Sequence, residues 1–250
     1  MKKIGIIDSG IGGLTLLREF IHSAYSAEYF YISDESNVPY GGKTQQFMYE
    51  RTQLMVEKLM AKNVETIVLA CNTLTAETID KLRSNYSIKF IGIEPYINYQ
   101  NKVESIGAKK LGLILTPATY ASNRFKELQT KFDPDGKIVV LPLENLALLI
   151  EKLKYDSSEK IYLDLKNELK PLKELDLSHL ILGCTHYPII KELIERELNV
   201  IAVDPNKQVS QHLSNLLGLS KSKYPVEKFN YNFDLSDVWQ YTSLKDFRFF

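Results

Sequence analysis

The sequence predicts an α/β protein made of two similar doubly wound domains that face each other across a central cleft. Short apolar runs alternate with amphipathic stretches up to Pro95, and the same alternation starts again after it. Two closely similar segments follow apolar runs, Val68-Leu69-Ala70-Cys71-Asn72-Thr73 and Ile181-Leu182-Gly183-Cys184-Thr185-His186. This alternation is typical of parallel sheets with helices on both faces. Because such sheets form their sites beyond the carboxyl ends of the strands, we expect both thiols at a sheet edge.

The first half of the chain begins with a strand, a glycine-rich turn and a helix. The strand is expected over Lys3 to Asp8, the turn over Ser9 to Gly13 and the helix over Leu14 to His22. Backbone N–H groups at such a turn favour an anion, for example phosphate or carboxylate. Further strands are expected at Glu28 to Ser33, Thr66 to Ala70 and Lys89 to Ile93, and further helices at Thr44 to Asn63 and Thr75 to Asn85.

The second half repeats the pattern and ends in an aromatic tail. Strands are expected at Leu111 to Leu115, Ile138 to Leu141, Leu180 to Gly183 and Val200 to Val203. Helices are expected at Ile97 to Ser105, Ser122 to Phe132, Asn145 to Tyr155, Ser158 to Leu169, Ile189 to Glu197 and Gln208 to Leu217. The tail from Tyr224 predicts an edge strand and a short terminal helix. We expect one domain at 1–95 plus 205–250 and the other at 96–204, and the paired cysteine segments hint at an internal duplication.

Composition narrows the class of protein. The chain has 250 residues, 44% of them hydrophobic, with 31 basic and 31 acidic side chains. Without a basic stripe it lacks the electrostatic footprint of a nucleic-acid-binding protein. The longest apolar runs are far shorter than a membrane span, and the first run is too short for a signal peptide. We therefore expect a cytoplasmic protein with reduced thiols rather than a disulfide. No CxxC, HExxH or Cys/His cluster indicates a metal site.

Two thiols on opposite walls of a cleft could act on a carbon acid bound between them. A thiolate on one wall can remove a proton while a thiol on the other returns one, which inverts the carbon. Each thiol then needs a neighbour that sets its protonation state. Asp8 and His186, one from each half, are the candidates.

Each of these residues also has a purely structural interpretation. A cysteine at a strand end is often a small buried apolar residue. Asp8 could belong to a turn, Asp34 could end a strand, and His186 could be a satisfied core histidine. Helix capping could explain four further polar side chains: Asn72, Thr73, Thr116 and Thr119.

Four segments in order along the chain carry a family resemblance. They are Asp8-Ser9-Gly10-Ile11-Gly12-Gly13, Pro39-Tyr40-Gly41, Ala70-Cys71-Asn72-Thr73 and Leu182-Gly183-Cys184-Thr185-His186-Tyr187-Pro188. Together they resemble bacterial glutamate racemase, over most of the chain to about Asp204. The resemblance implies two facing α/β domains, a C-terminal segment that returns to the first domain, and a homodimer. It also implies racemisation of glutamate without a cofactor, which supplies D-glutamate for peptidoglycan.

The resemblance also implies roles for particular residues. Cys71 would be the base toward D-glutamate with Asp8 as its assistant, and Cys184 the base toward L-glutamate with His186. Glu151 falls where the family has an assisting acid. The positions that would hold the ammonium and carboxylate groups of the substrate are Ser9, Pro39, Tyr40, Gly41, Asn72, Thr73, Thr116, Thr119 and Thr185.

Other functions remain open from the sequence. Aspartate racemases share both cysteine segments, but in their pattern an acid stands where this chain has His186, which favours glutamate. Leu74, Glu94 and the pair Leu115 and Pro117 depart from the family pattern, so a related amino acid or a non-catalytic binding protein is an alternative. A dinucleotide-binding oxidoreductase is disfavoured because the third glycine of the GxGxxG fingerprint falls on Thr15.

Overall fold

Two mainly parallel sheets form the framework of the protein. The computed structural model describes residues 1–23, 25–102, 110–223 and 226–247. The first sheet contains β1 (Lys2–Asp8), β2 (Ala27–Ser33), β3 (Thr66–Leu69), β4 (Lys89–Gly92), β9 (Lys228–Asn232) and β10 (Gln240–Ser243). The second contains β5 (Lys110–Leu115), β6 (Ile138–Pro142), β7 (Leu177–Leu182) and β8 (Ile201–Val203).

Helices connect these strands and cover both faces of each sheet. Their bounds are α1 (Leu14–His22), α2 (Gln45–Met60), α3 (Asn72–Asn85), α4 (Pro117–Ala121), α5 (Asn123–Phe132), α6 (Leu146–Lys152), α7 (Glu159–Leu169), α8 (Lys191–Leu198) and α9 (Asn206–Leu217). Of the described residues, no helix is long and apolar enough to cross a membrane.

The two sheets repeat one strand order. The first runs β10-β9-β2-β1-β3-β4 and the second runs β6-β5-β7-β8, so the order 2-1-3-4 occurs twice. Within each set of four the strands are parallel. Cys71 follows β3 and Cys184 follows β7, which are equivalent strands of the repeat. This match of topology supports the internal duplication that the cysteine segments hinted at.

Four apolar clusters fill the spaces between sheets and helices. One side of the first sheet packs with α1 and α9, and the other side packs with α2 and α3. The second sheet is likewise covered on both sides, by α6 to α8 on one and α5 on the other. Cys71 belongs to one of these clusters and Cys184 to another. The predicted α/β class with doubly wound sheets is confirmed.

Several predicted elements differ in detail from the structure. The helix expected from Thr75 begins at Asn72, so Cys71 is its N-cap residue. The short helix α4 and the strand β10 were not predicted. Residues 103–105 of the helix expected from Ile97, and the first residue of the aromatic tail, lie outside the described residues; the described part, Ile97–Lys102, is a 3-10 helix.

Domain boundaries at 95/96 and 204/205 remain a prediction that the sheets support. Residues 2–92 and 228–243 supply the first sheet, and residues 110–203 supply the second. Helix α9 packs on α1 beside the first sheet, and Asn206 donates to Thr15 Oγ1 at 3.2 Å. Strand β9, which follows the second sheet in the sequence, pairs with β2, so the chain does return to the first sheet.

Candidate active site

Both cysteines lie at the carboxyl edges of their sheets, and those edges face each other. Hydrogen bonds join them directly: Thr185 Oγ1 donates to Asp8 Oδ2 at 3.2 Å, and Ile11 N–H donates to Glu151 Oε1 at 2.7 Å. Cys71 is 6% exposed and Cys184 is 7% exposed. The two free thiols are therefore enclosed where the sheets meet.

Cys71 is a buried thiol at the start of α3. Its Sγ lies 3.7 Å from Ser9 Oγ, at the limit of a weak hydrogen bond. Burial, together with the charges of Asp8 and Cys184, raises the pKa of Cys71 to about 12 overall. The N–H of Leu74 and the hydroxyl of Ser9 act in the opposite direction, as expected at a helix N-terminus. At neutral pH this sulfur carries a proton that it can donate.

Cys184 has a different partner. His186 Nδ1 lies 3.7 Å from Cys184 Sγ, and His186 Nε2 lies 2.7 Å from Glu151 Oε1. Burial lowers the pKa of His186, but its bonds to Cys184 and Glu151 outweigh burial and raise the pKa well above its usual value. The imidazole is therefore protonated at neutral pH, and it places a positive charge beside Cys184.

Glu151 supports this imidazolium ion. Burial raises its pKa, but the hydrogen bond from His186 and the charges of His186 and Lys154 lower it to about 2 overall. Its second oxygen, Oε2, lies 3.0 Å from Lys154 Nζ. The carboxylate is thus ionised and held by donors on both oxygens. The sequence resemblance indicated Glu151 as an assisting acid, and the structure brings it into contact with His186.

Asp8 ends β1 and lies between the two cysteine segments. Its Oδ1 accepts the Gly10 N–H at 2.7 Å, and its Oδ2 accepts the Thr185 hydroxyl. Burial raises the pKa of Asp8 to about 6, although the charge of His186 opposes the rise. A carboxyl group that titrates near neutrality can exchange a proton with its surroundings. Its charge also acts on Cys71.

The glycine-rich turn after β1 permits a close approach between the two segments. A Cβ atom on Gly10 would stand 1.8 Å from Glu151 Oε1, and one on Gly12 would stand 2.4 Å from His186 Nδ1. Any larger residue would push the facing loop away. The turn was expected to hold an anion at its N–H groups. Two of those groups bind carboxylates of the protein itself, from Asp8 and Glu151.

Three threonine hydroxyls form a triangle between the sheets. Thr73 Oγ1 lies 3.1 Å from Thr116 Oγ1 and 3.3 Å from Thr119 Oγ1, and the last two are 2.9 Å apart. Thr73 comes from α3, whereas the other two follow β5. Thr116 also caps α4, as its structural interpretation proposed, through the Thr119 N–H. Thr116 therefore both caps α4 and lies at the junction between the domains.

An unsatisfied amide lies next to Cys71. Asn72 is 4% exposed, and its side-chain Nδ2 has no hydrogen-bond partner among the residues that the structure describes. A buried N–H donor without an acceptor is costly, and such groups often face a ligand. Leu74, two residues on, is fully buried in the apolar cluster that contains Cys71. Its bulk therefore belongs to the core of the first domain.

The segment Pro39-Tyr40-Gly41 is held by an ion pair between buried Asp34 and partly exposed Arg51. Tyr40 OH donates to Asp34 Oδ2, and Arg51 Nε donates to the same oxygen at 2.8 Å. Burial raises the pKa of Asp34, but these donors lower it overall. Asp34 was expected as a possible strand end, and it does follow β2. Its charge fixes Tyr40 as well.

Sequence reasoning missed Arg51, Glu35 and Lys154. Lys154 follows Glu151 by three residues, a spacing that can indicate a contact along a helix or turn. Nothing in the sequence links Lys154 to Glu35, which is 119 positions away. Arg51 likewise lies on a helix that the sequence could not orient toward Asp34.

Comparisons with known proteins agree with this geometry. The profile of the family described as Asp/Glu/Hydantoin racemase matches residues 12–212. A glutamate racemase of Clostridium botulinum is 36% identical over 240 residues, 92% of each chain. A glutamate racemase of Clostridium acetobutylicum is 38% identical over 192 residues, 76% of this chain and 74% of that one. The chain belongs to the Asp/Glu/Hydantoin racemase family.

Solved structures share the fold. Glutamate racemase of Francisella tularensis, crystallised with D-glutamate, is 30% identical with a TM-score of 0.71 and covers 93% of this chain and 87% of its own. The Escherichia coli glutamate racemase, solved with L-glutamate and an activator, has a TM-score of 0.80 at 24% identity, over 93% and 88% of the two chains. At that identity the second likeness shows the fold alone. Two facing α/β domains are thus the architecture of this family.

Proposed function

We propose that this protein is an isomerase that interconverts L- and D-glutamate without a cofactor, by a two-base mechanism. The observation that carries the proposal is the placement of Cys71 and Cys184 at equivalent strand ends of two facing sheets. Buried groups on opposite sides of one space can serve opposite faces of a carbon. The 36% and 38% identical relatives named as glutamate racemases support glutamate as the substrate.

In the direction from L- to D-glutamate, Cys184 acts as a thiolate and removes the Cα proton. His186, held protonated by Glu151, stabilises the negative charge on this sulfur. Cys71 stands protonated on the other side and delivers its proton to the opposite face. In the reverse direction Cys71 is the base, and Asp8 accepts or returns its proton through the adjoining polar groups. The two sides thus exchange roles with each turnover.

Hydrogen-bond donors near the thiols suit the groups of a small dicarboxylic amino acid. Asn72 Nδ2, Ser9 and the threonine triangle offer donors for carboxylates. The carboxylate of Asp8 offers a partner for an ammonium group. We assign substrate binding to these groups and to the positions that the sequence indicated: Pro39, Tyr40, Gly41 and Thr185.

The buried site has a consequence for substrate exchange. Because the thiols are nearly inaccessible, glutamate enters only when the two sheets move apart. Closure then excludes water from a carbanion-like intermediate. We further propose that the protein acts in the cytoplasm as a homodimer, where its D-glutamate serves peptidoglycan synthesis and thereby cell-wall biogenesis and cell shape.

Racemisation in D2O tests the proposal. Purified protein is incubated with L-glutamate without added cofactor, while optical rotation and the Cα–H signal in NMR are followed. The proposal predicts loss of rotation together with entry of deuterium at Cα. Reaction of L-aspartate but not L-glutamate would replace the substrate, and no reaction with any amino acid would favour a non-catalytic binding protein.

A further inference from the structure

A row of side chains of alternating charge runs from the first sheet to His186. Tyr231 of β9 donates to Glu35, and Lys154 donates to the other oxygen of Glu35. Lys154 Nζ also lies 3.0 Å from Glu151 Oε2, and Glu151 binds His186. The charges therefore alternate from Glu35 (negative) and Lys154 (positive) to Glu151 (negative) and His186 (positive). These contacts join strand β9 of the first sheet to His186, the neighbour of Cys184.

Lys154 is well enclosed for a lysine. Its side chain is 13% exposed, and those of Glu35 and Glu151 are 4% and 8% exposed. It lies in the turn after α6, next to a crevice of about 280 Å³ between the domains. Charges removed from water interact strongly, and removing one partner leaves the others uncompensated. A lysine in this place therefore has a large influence on the carboxylate beside it.

We propose that Lys154 is a positioning residue that holds Glu151 against His186 and is itself held by Glu35 of the other domain. Lys154 bonds the Glu151 oxygen that His186 leaves free, so the carboxylate cannot rotate away from the imidazole. Glu35 is fixed in turn by Ser33 Oγ at 3.0 Å and by Tyr231. The role in racemisation rests on the proposed function, whereas the effect on Glu151 does not.

The proposal has a directional consequence. Lys154 acts on the side of Cys184, which takes the proton from L-glutamate. Because the equilibrium constant between enantiomers is one, any loss in kcat/KM must be equal in both directions. The difference between the two directions of reaction appears in the deuterium isotope effects instead. If transfer at Cys184 slows, the deuterium effect on 2-deutero-L-glutamate rises, and the effect on 2-deutero-D-glutamate falls.

The test compares Lys154→Met with Lys152→Met, which removes an exposed charge two residues away. We expect Lys154→Met to lose about tenfold in kcat/KM with the isotope asymmetry above. Lys154→Arg retains part of the activity that Lys154→Met loses, because arginine keeps the positive charge. Glu35→Gln gives a smaller loss in kcat/KM. Combined with Lys154→Met it adds little further loss, because both changes act on the contact between Lys154 and Glu151. Lys152→Met behaves like the parent protein.

A second measurement needs no turnover. The Glu151 carboxyl carbon is labelled with 13C, assigned by its loss in Glu151→Gln, and titrated. Since Lys154 lowers the pKa of Glu151, Lys154→Met raises the titration midpoint by about one pH unit. An unchanged midpoint would overturn the proposal whatever the activity. A raised Glu151 midpoint in Lys154→Met, together with no racemisation by the parent protein, would support the contact between Lys154 and Glu151 but refute the proposed function. Racemisation by the parent with no kinetic change in Lys154→Met would overturn the positioning role.

Discussion

Thr185 donates its hydroxyl hydrogen to Asp8 across 177 residues of sequence, with 3.2 Å between Oγ1 and Oδ2. One residue ends the first strand of the first sheet, and the other follows Cys184 in the second. Both are almost completely buried. The bond therefore couples the neighbour of one thiol to the loop that carries the other.

Removal of this donor should slow racemisation. Thr185→Val keeps the shape but leaves Asp8 with one donor fewer, so the pKa of Asp8 rises above about 6. We expect kcat/KM to fall about tenfold, with its acid limb shifted to higher pH, since ionised Asp8 accepts the proton from Cys71. The pH profile of kcat/KM measures both effects. Thr185→Ser, which keeps the hydroxyl, serves as control, and an unshifted limb in Thr185→Val would count against a role for Asp8.

Each thiol should be indispensable on its own. Cys71→Ser and Cys184→Ser replace sulfur by oxygen, which is far less acidic, so neither variant can complete a two-base reaction. We expect racemisation to fall by about three orders of magnitude or more in each. Polarimetry with both enantiomers measures the loss. Full activity in either variant would exclude the two-base assignment.

The threonine triangle should matter for substrate affinity more than for chemistry. Thr119→Val removes one buried hydroxyl without changing volume, so a carboxylate bound there loses a hydrogen bond. We expect KM to rise about tenfold while kcat changes less. Steady-state kinetics with L-glutamate separates the two constants. Thr130→Val, which alters an exposed hydroxyl of α5, should leave both unchanged; an equal fall in kcat would place Thr119 in the chemistry instead.

Asp8 should cost stability at neutral pH. Its pKa rises from 3.8 to about 6 on folding, so the folded state loses stability relative to a neutral side chain as pH rises through this interval. Between pH 3 and pH 7, the free energy of unfolding of Asp8→Asn should therefore rise by about 3 kcal/mol relative to that of the parent. Urea unfolding at several pH values measures the difference, and a constant difference would contradict the buried carboxylate.

Glu151 should show the opposite dependence. Its pKa is lowered from 4.5 to about 2, so its contribution is present above pH 4.5 and is lost as pH falls toward 2. The deficit of Glu151→Gln relative to the parent should therefore shrink in acid. At neutral pH the ionised Asp8 would then lower the stability of the folded protein, whereas the ionised Glu151 would raise it.

Much of this architecture follows from local sequence patterns. Apolar runs fixed the strands β1 and β3 to within a residue or two, and the two thiols could be placed at strand ends. The start of α3 was set three residues too late because Asn72 and Thr73 are weak helix formers. The contact between Lys154 and Glu35 could not be predicted, because it depends on how the two domains meet. Contacts between domains depend on geometry that no local pattern encodes.

The strand β9 has a consequence for the order in which the protein is made. It pairs with β2, yet it is synthesised after all four strands of the second sheet. Until it emerges from the ribosome, β2 is an open edge with unpaired N–H and C=O groups, which are sites for aggregation. The second sheet can therefore fold as a finished unit while the first still waits for its last strands. A nascent chain that stops before β9 would carry both cysteines and an unprotected sheet.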